Sequence, residues 1–249
     1  MDLSVLGGSC HRRITLVRGS CVPVSAPRGT GRGRLTNVVS VSDRRGRESG
    51  QDPGGLLSHV VVAGGTPREW AQMSTQHWRT RLDLLAAGGA AGGARWVTLL
   101  PHGGDALDAA AAAAMFEALD GTGKVEWSEH WRPSRRASRR DDGLTVIVDP
   151  SPDGHVRFAD AVAALSSSGV VEVDEAMISR AILAPAGDEP DLVVVLGRPD
   201  MLPTSLVWEL AYSELVFLDL AWESLNAGHL ESAIDDFNRR HRRFGGLDS

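Results

Sequence analysis

Three short runs of mostly β-branched residues constrain the fold of this chain more than any other feature: "HVVVAG" at 59–64, "LTVIVD" at 144–149 and "PDLVVVLG" at 190–197. A strand with one wet face alternates apolar and polar residues, whereas an unbroken apolar run belongs to a strand buried on both faces. "ARWVTLLP" (94–101) and "LVFLDLAW" (215–222) read the same way, and "KVEWSEHW" is a further strand candidate. Helical stretches lie between them. The spacing predicts a helix over "WAQMSTQHWRTRLDLLAAGG", stopped by Gly88 and Gly89, and others over 105–121, 157–169, 174–183, 205–214 and 229–246. "RPSRRASRRDDG" (132–143) reads as a loop. Strands separated by helices imply an α/β fold with a mostly parallel central sheet flanked by helices.

The 249 residues are 42% hydrophobic and 23% charged, ordinary values for a globular chain. Charge is unevenly placed: residues 1–57 carry nine arginines and four acids, and the remainder is strongly acidic, for a net charge of −6. "APRGTGRGRL" and "SDRRGRESGQDPGG" are too poor in apolar residues to order themselves, so 1–57 is expected to be a disordered basic extension and 58–249 the folded domain. Cys10 and Cys21 both lie in that extension, which leaves the domain no disulfide and no cysteine-based zinc site. No apolar run reaches the roughly 18 residues of a membrane span, and "ITLV" is too short for a secretory signal. A cytoplasmic protein is expected, with membrane contact limited to the periphery. There is no nucleic-acid-binding signature, and the arginines of 132–140 read as solvated surface.

Ligands of parallel α/β sheets bind at the carboxyl ends of the strands. There, "AGGTPREW" offers Gly64 and Gly65 for close backbone approach, a helix N-terminus at Thr66, and Arg68. It is no P-loop, since G-x-x-x-x-G-K-[ST] is absent. The strand ending at Gly197 leads into a loop with Arg198 and Asp200. The C-terminal "RRHRRFGG" gathers Arg239, Arg240, His241, Arg242 and Arg243, a cationic last turn that complements the helix dipole or holds guanidinium groups over a phosphate.

Taken together, "PDLVVVLGRPDMLPTSLVWELAYSELVFLDLAWESL…RRFGG" (190–246) and "HVVVAGGTPREWA" (59–71) resemble the cis-prenyltransferase family, the undecaprenyl diphosphate synthase fold, over about residues 56–249. "LVWELAYSELVF" and "RRFGG" are its specific elements. The resemblance also implies losses. The family's magnesium-holding aspartate falls on Gly65, its asparagine on Pro67 and the arginine before tryptophan on Glu69. Two diphosphate-binding arginines fall on Val195 and Met201, a glutamate on Pro199 and a serine on Pro203; Arg198 is one register away. "LPHGGD" and "DPSPDG" replace two further family segments. Glu214 aligns with a carboxylate that reaches the metal in the family, as a remnant ligand or a structural acceptor.

Losing one preorganised electrostatic contact costs about 10²–10³ in rate, and losing the carboxylate removes the metal template itself. The resemblance therefore implies no catalytic residues and no metal in the chain's own site, with Gly64, Gly65, Thr66, Arg68 and Arg198 as a vestigial phosphate site. It is similar in this to the degenerate, Nogo-B receptor type of subunit in heteromeric cis-prenyltransferases. By that resemblance Arg243 and Gly245, as an Arg-x-Gly tail, complete the isopentenyl diphosphate site of a catalytic cis-prenyltransferase homologue that holds Mg2+. Two alternatives remain at this stage. One is a stand-alone enzyme that condenses or cyclises short prenyl diphosphates through Asp200, Arg198, Glu214 and His102. The other is a protein that binds a prenyl chain.

Overall fold

Valine, isoleucine and leucine in unbroken runs form the middle of one seven-stranded sheet. The structure is a computed structural model. It describes residues 35–39, 57–120, 135–170 and 172–244, with side chains throughout except at 35–39 and 241–244. The strands are β1 (Leu35–Val39), β2 (His59–Ala63), β3 (Trp96–Leu100), β4 (Arg136–Arg139), β5 (Thr145–Val148), β6 (Leu192–Leu196) and β7 (Glu214–Leu218). Their order is β1-β7-β6-β2-β3-β5-β4. The central five are parallel, and β1 and β4 are antiparallel edges. Val60, Val61, Val62, Val97, Val146, Val193 and Val194 are wholly buried, as expected of a sheet covered on both faces. Each such side chain contributes about 1.5–3 kcal/mol by leaving water.

The helices are α1 (Pro67–Ala71), α2 (Thr75–Ala91), α3 (Ala109–Asp120), α4 (Gly154–Ser167), α5 (Glu175–Leu183) and α6 (Ala227–Phe244). Most starts follow capping chemistry: the side chains of Ser74, Asp108, Asp153 and Asp174 accept first-turn N–H groups. α2, however, runs through Gly88 and Gly89, where a stop was expected, and ends at Gly92. Packing is the reason. A Cβ at Gly88 would lie 2.9 Å from Leu230 Cβ on α6, and one at Gly89 would lie 2.5 Å from Val97 Cγ2 on β3. Close approach to both neighbours outweighs the roughly 1 kcal/mol that a glycine costs a helix.

Two further expectations are corrected. The arginine-rich stretch read as a loop contains β4, because Arg136, Arg140 and Ser138 are held by packing and pairing. Arg136 stacks 4.4 Å from the centre of the Phe116 ring, Arg140 pairs with Asp83 at 2.7 Å, and Ser138 is fully buried. Residues 205–214, expected as a helix, are turns leading into β7. Buried contacts override propensity there: Arg157 takes the Ser205 carbonyl and the Glu209 carboxylate, and Ser213 Oγ donates to the Glu209 carbonyl. Within the expected disordered extension the structure places one strand, β1, paired with β7. Leu57 is buried, and the rest of 1–57 apart from Ser58's neighbour Leu57 and β1 lies outside the described residues. The strand candidate "KVEWSEHW" also lies outside them.

Candidate functional site

The carboxyl ends of β2, β3, β5 and β6 meet at one edge of the sheet, and their loops are laced to one another. Gly64 N donates to the Leu100 carbonyl at 3.0 Å, and His102 N to the Gly65 carbonyl at 2.7 Å. Ser205 Oγ donates to the Pro101 carbonyl, and Thr204 Oγ1 to the Pro152 carbonyl at 2.9 Å. These four donors and their carbonyl acceptors are satisfied within the protein.

The Gly64–Gly65 turn is closed by indoles. Gly65 has φ +70°, and a Cβ there would lie 2.5 Å from Trp70 Nε1 and 3.0 Å from Trp222 Cγ. Trp70 Nε1 donates to the Gly64 carbonyl at 3.1 Å. Trp70, Trp78 and Trp222 are buried together, and Arg81 stacks 4.4 Å from the centre of the Trp222 ring. The start of α1 is equally self-contained. Glu69 accepts from Thr66 N at 2.6 Å and from Thr66 Oγ1 at 2.8 Å. A carboxylate of the chain thus sits where the turn would present its N–H groups to a phosphate. Arg68 is exposed on α1. Arg198 is exposed and paired through Nε and Nη2 with Asp200, at 3.1 and 2.6 Å.

Beneath the same edge lies a charge cluster that the sequence reading missed. Arg135 pairs with Asp149 at 2.8 Å and donates to the Ala184 carbonyl at 2.6 Å; Arg157 pairs with Glu209 at 2.8 Å and stands 4.0 Å from Asp149. All four side chains are at most 1% exposed. Burial alone pushes the Arg157 guanidinium down, but Glu209 and Asp149 together hold it above its ordinary value. Two cations meet two anions, so the cluster has no formal charge to offer a diphosphate. Its only sequence signals were arginines inside segments read as loop or helix surface.

His102 is half-buried, and burial lowers its pKa against the opposing field of Glu69. Glu214 lies elsewhere. It is the first residue of β7, in register with Leu192, the first of β6. Five residues of parallel strand rise by about 13 Å from first Cα to last, which separates Glu214 from the loops that hold Arg198 and His102. The four-residue alternative of Asp200, Arg198, Glu214 and His102 is therefore not assembled. Glu214 instead accepts from Arg240 Nε at 3.1 Å, with Nη2 in ion-pair contact at the same distance. Arg243 is helical in the last turn of α6, and Gly245 lies outside the described residues.

The residues present do not fit a magnesium ion at the Gly64–Gly65 turn. No carboxylate can grow from Gly65, Glu69 is turned back onto Thr66, and no group of three or more His, Cys, Asp or Glu is placed to hold a metal among the described residues. Among those residues no helix is long and apolar enough to cross a membrane.

Residues 126–245 match the family model described as "Putative undecaprenyl diphosphate synthase". An isoprenyl transferase of Chromobacterium violaceum is 32% identical over 121 residues, 49% of this chain and 48% of that protein. A ditrans,polycis-undecaprenyl-diphosphate synthase ((2E,6E)-farnesyl-diphosphate specific) of Lactiplantibacillus plantarum is 43% identical over 82 residues, 31% of each chain. The chain spans about half the length, or less, of the curated relatives it matches. Among solved structures, a "probable undecaprenyl diphosphate synthase" from Campylobacter jejuni aligns over 76% of this chain and 98% of its own, with a TM-score of 0.49 and 17% identity. Lavandulyl diphosphate synthase from Lavandula x intermedia, in complex with dimethylallyl diphosphate, aligns over 73% and 94%, with a TM-score of 0.47 and 12% identity. The family and sequence matches support a relationship to the cis-prenyltransferases.

Proposed function

We propose that this relative of the cis-prenyltransferases is a non-catalytic accessory subunit of a heteromeric (Z)-prenyl diphosphate synthase. It supplies a dimer interface and its C-terminal Arg-x-Gly tail, Arg243 and Gly245. Its partner, a catalytic cis-prenyltransferase homologue, holds Mg2+ and both prenyl substrates. The observation that carries this reading is the opposition of the two ends of the sheet. The carboxyl edge, where such folds do chemistry, is sealed by Trp70, Trp222 and Glu69 and carries no net buried charge. The cation-rich turn lies at the other edge, because Arg240 is fixed to Glu214 at the start of β7. Arg243 follows one turn later, about 4.5 Å further along the helix axis. The backbone at Arg243 is thus at the opposite edge of the sheet from the Gly64–Gly65 turn, which supports a role on a neighbouring chain.

Labelled isopentenyl diphosphate, Mg2+ and a short allylic diphosphate test the reading with three samples: this chain alone, a full-motif homologue from the same genome alone, and the two co-expressed. Turnover is expected in the co-expressed sample, well above the homologue alone. Arg243→Ala is expected to lower it about 10²-fold while the complex still co-elutes. Turnover by this chain alone, or unchanged turnover in the variant complex, would sink the proposal.

A further inference from the structure

We infer that Glu214 and Arg240 form a positioning pair that sets the direction of the C-terminal tail, an inference that rests on the accessory-subunit reading for its functional half. Glu214 is rigidly held. Its backbone N donates to the Asp191 carbonyl at 2.9 Å, and its strand is hydrogen-bonded to β6. Its carboxylate is 14% exposed and accepts from Nε of Arg240 at 3.1 Å, with Nη2 in ion-pair contact; the Arg240 side chain is 28% exposed. A charge-assisted hydrogen bond backed by an ion-pair contact holds the guanidinium against the strand.

The need for such an anchor follows from the helix itself. The last turn of α6 carries Arg239, Arg240, His241, Arg242 and Arg243. Like charges three and four residues apart repel, and the final carbonyls of a helix have no intrahelical donors, so an unsupported end frays. Asp236 takes Arg239 within the helix, which restrains that side chain but not the helix as a whole. The Arg240 contact ties this turn to the sheet. Arg243 lies three residues beyond Arg240, so its placement inherits that tie. Glu214 thus acts through Arg240 and ligates no metal: the carboxylate that the resemblance offered as a remnant metal ligand serves the tail.

Two measurements test this. In the chain alone, amide hydrogen exchange of residues 236–244 is expected to quicken about tenfold in Glu214→Gln, the typical value of a hydrogen bond to a charged group, with no change in α2 or the central strands. In the co-expressed pair, Glu214→Gln is expected to raise KM for isopentenyl diphosphate about tenfold with kcat within a few-fold and the Mg2+ requirement unchanged. The charge swap Glu214→Arg with Arg240→Glu is expected to restore both readouts. Unchanged exchange, a shifted Mg2+ requirement, or a swap that restores nothing would overturn the anchor. So would a failure to fold shared by Glu214→Gln and the milder Arg240→Lys, which would make the pair purely structural. If the wild-type pair gives no stimulation over the homologue, the accessory-subunit reading fails, and the exchange measurement still judges the anchor.

Discussion

Restoring an aspartate at Gly65 tests why the carboxyl edge is closed. Gly65→Asp returns the carboxylate at the position that the resemblance marks as the family's metal ligand. Two costs follow from the geometry. An L-residue at φ +70° stands in the left-handed region, at about 1–2 kcal/mol. Its Cβ would then lie 2.5 Å from Trp70 Nε1, 2.9 Å from Trp70 Cδ1 and 3.0 Å from Trp222 Cγ, and overpacking of that kind costs about 1–3 kcal/mol. Neither indole is the loose end of a flexible chain. Trp70 is wholly buried, packs edge-on against Trp78 with centroids 5.2 Å apart, and donates to Gly64. The sum is about 2–5 kcal/mol, roughly 4–20 °C in Tm for a domain of this size. Urea denaturation followed by tryptophan fluorescence reads it directly, because the probes are the residues displaced. Titration with Mg2+ in the same samples is expected to give no stabilisation. A variant as stable as wild type, or one stabilised by millimolar Mg2+, would mean that the tryptophan wall yields and that the edge is open to a metal after one change.

Three further outcomes follow from buried contacts. His59 is wholly buried between Thr98 Oγ1 and the Asp188 carbonyl, and burial lowers its pKa to about 4. The unfolded chain therefore binds the extra proton first, so this contribution is complete above the ordinary histidine value near 6.5 and is lost as the pH falls towards 4. It amounts to about 3 kcal/mol, and urea midpoints across that window should fall less steeply in His59→Gln. Arg157→Met leaves Glu209 buried without its partner and is expected to cost about 3–5 kcal/mol, while adding Glu209→Leu should recover most of it; a single-variant loss below about 1 kcal/mol would refute the cluster's role. Gly89→Val drives a side chain into Val97 and is expected to lose about 1–3 kcal/mol by thermal denaturation, whereas a gain would mean that α2 does not depend on close approach there.

How far the sequence discloses this molecule depends on the range of the forces involved. β2, β3, β5 and β6 are visible because burial on both faces demands unbroken apolar runs, and Val60 to Val62 or Val193 to Val195 have no other use. β4 is not visible, because an edge strand of Arg136, Ala137, Ser138 and Arg139 is stabilised by Phe116 and by pairing with β5, both remote in sequence. Gly88 and Gly89 look like a stop until α6 is in place against them. The Gly64–Gly65 turn is legible as a strand-to-helix turn, and the absence of a carboxylate is legible too. The wall behind it is not, since Trp222 reaches Gly65 only once β7 has been laid down. Glu69 was visible as a charge beside Arg68; its closure onto Thr66 is a capping box, a local pattern that T-x-x-E already spells.

The two edges of the sheet differ in where their charges find balance. At the carboxyl edge every buried charge described is answered within the chain: Arg135 by Asp149, Arg157 by Glu209, and the start of α1 by Glu69. A site so neutralised gains nothing from a diphosphate and would have to break a buried pair to bind one, a loss of several kcal/mol before any new contact forms. At the other edge the last turn of α6 carries four arginines, of which Arg239 pairs with Asp236 and Arg240 with Glu214. The helix dipole favours cations at a C-terminus, though by only about 0.3–1 kcal/mol each, which does not require so many. Four arginines in one terminal turn, tied to the sheet by the Glu214–Arg240 ion pair, suit a polyanion brought by another molecule. That asymmetry, more than the loss of any single residue, is what supports the accessory-subunit proposal.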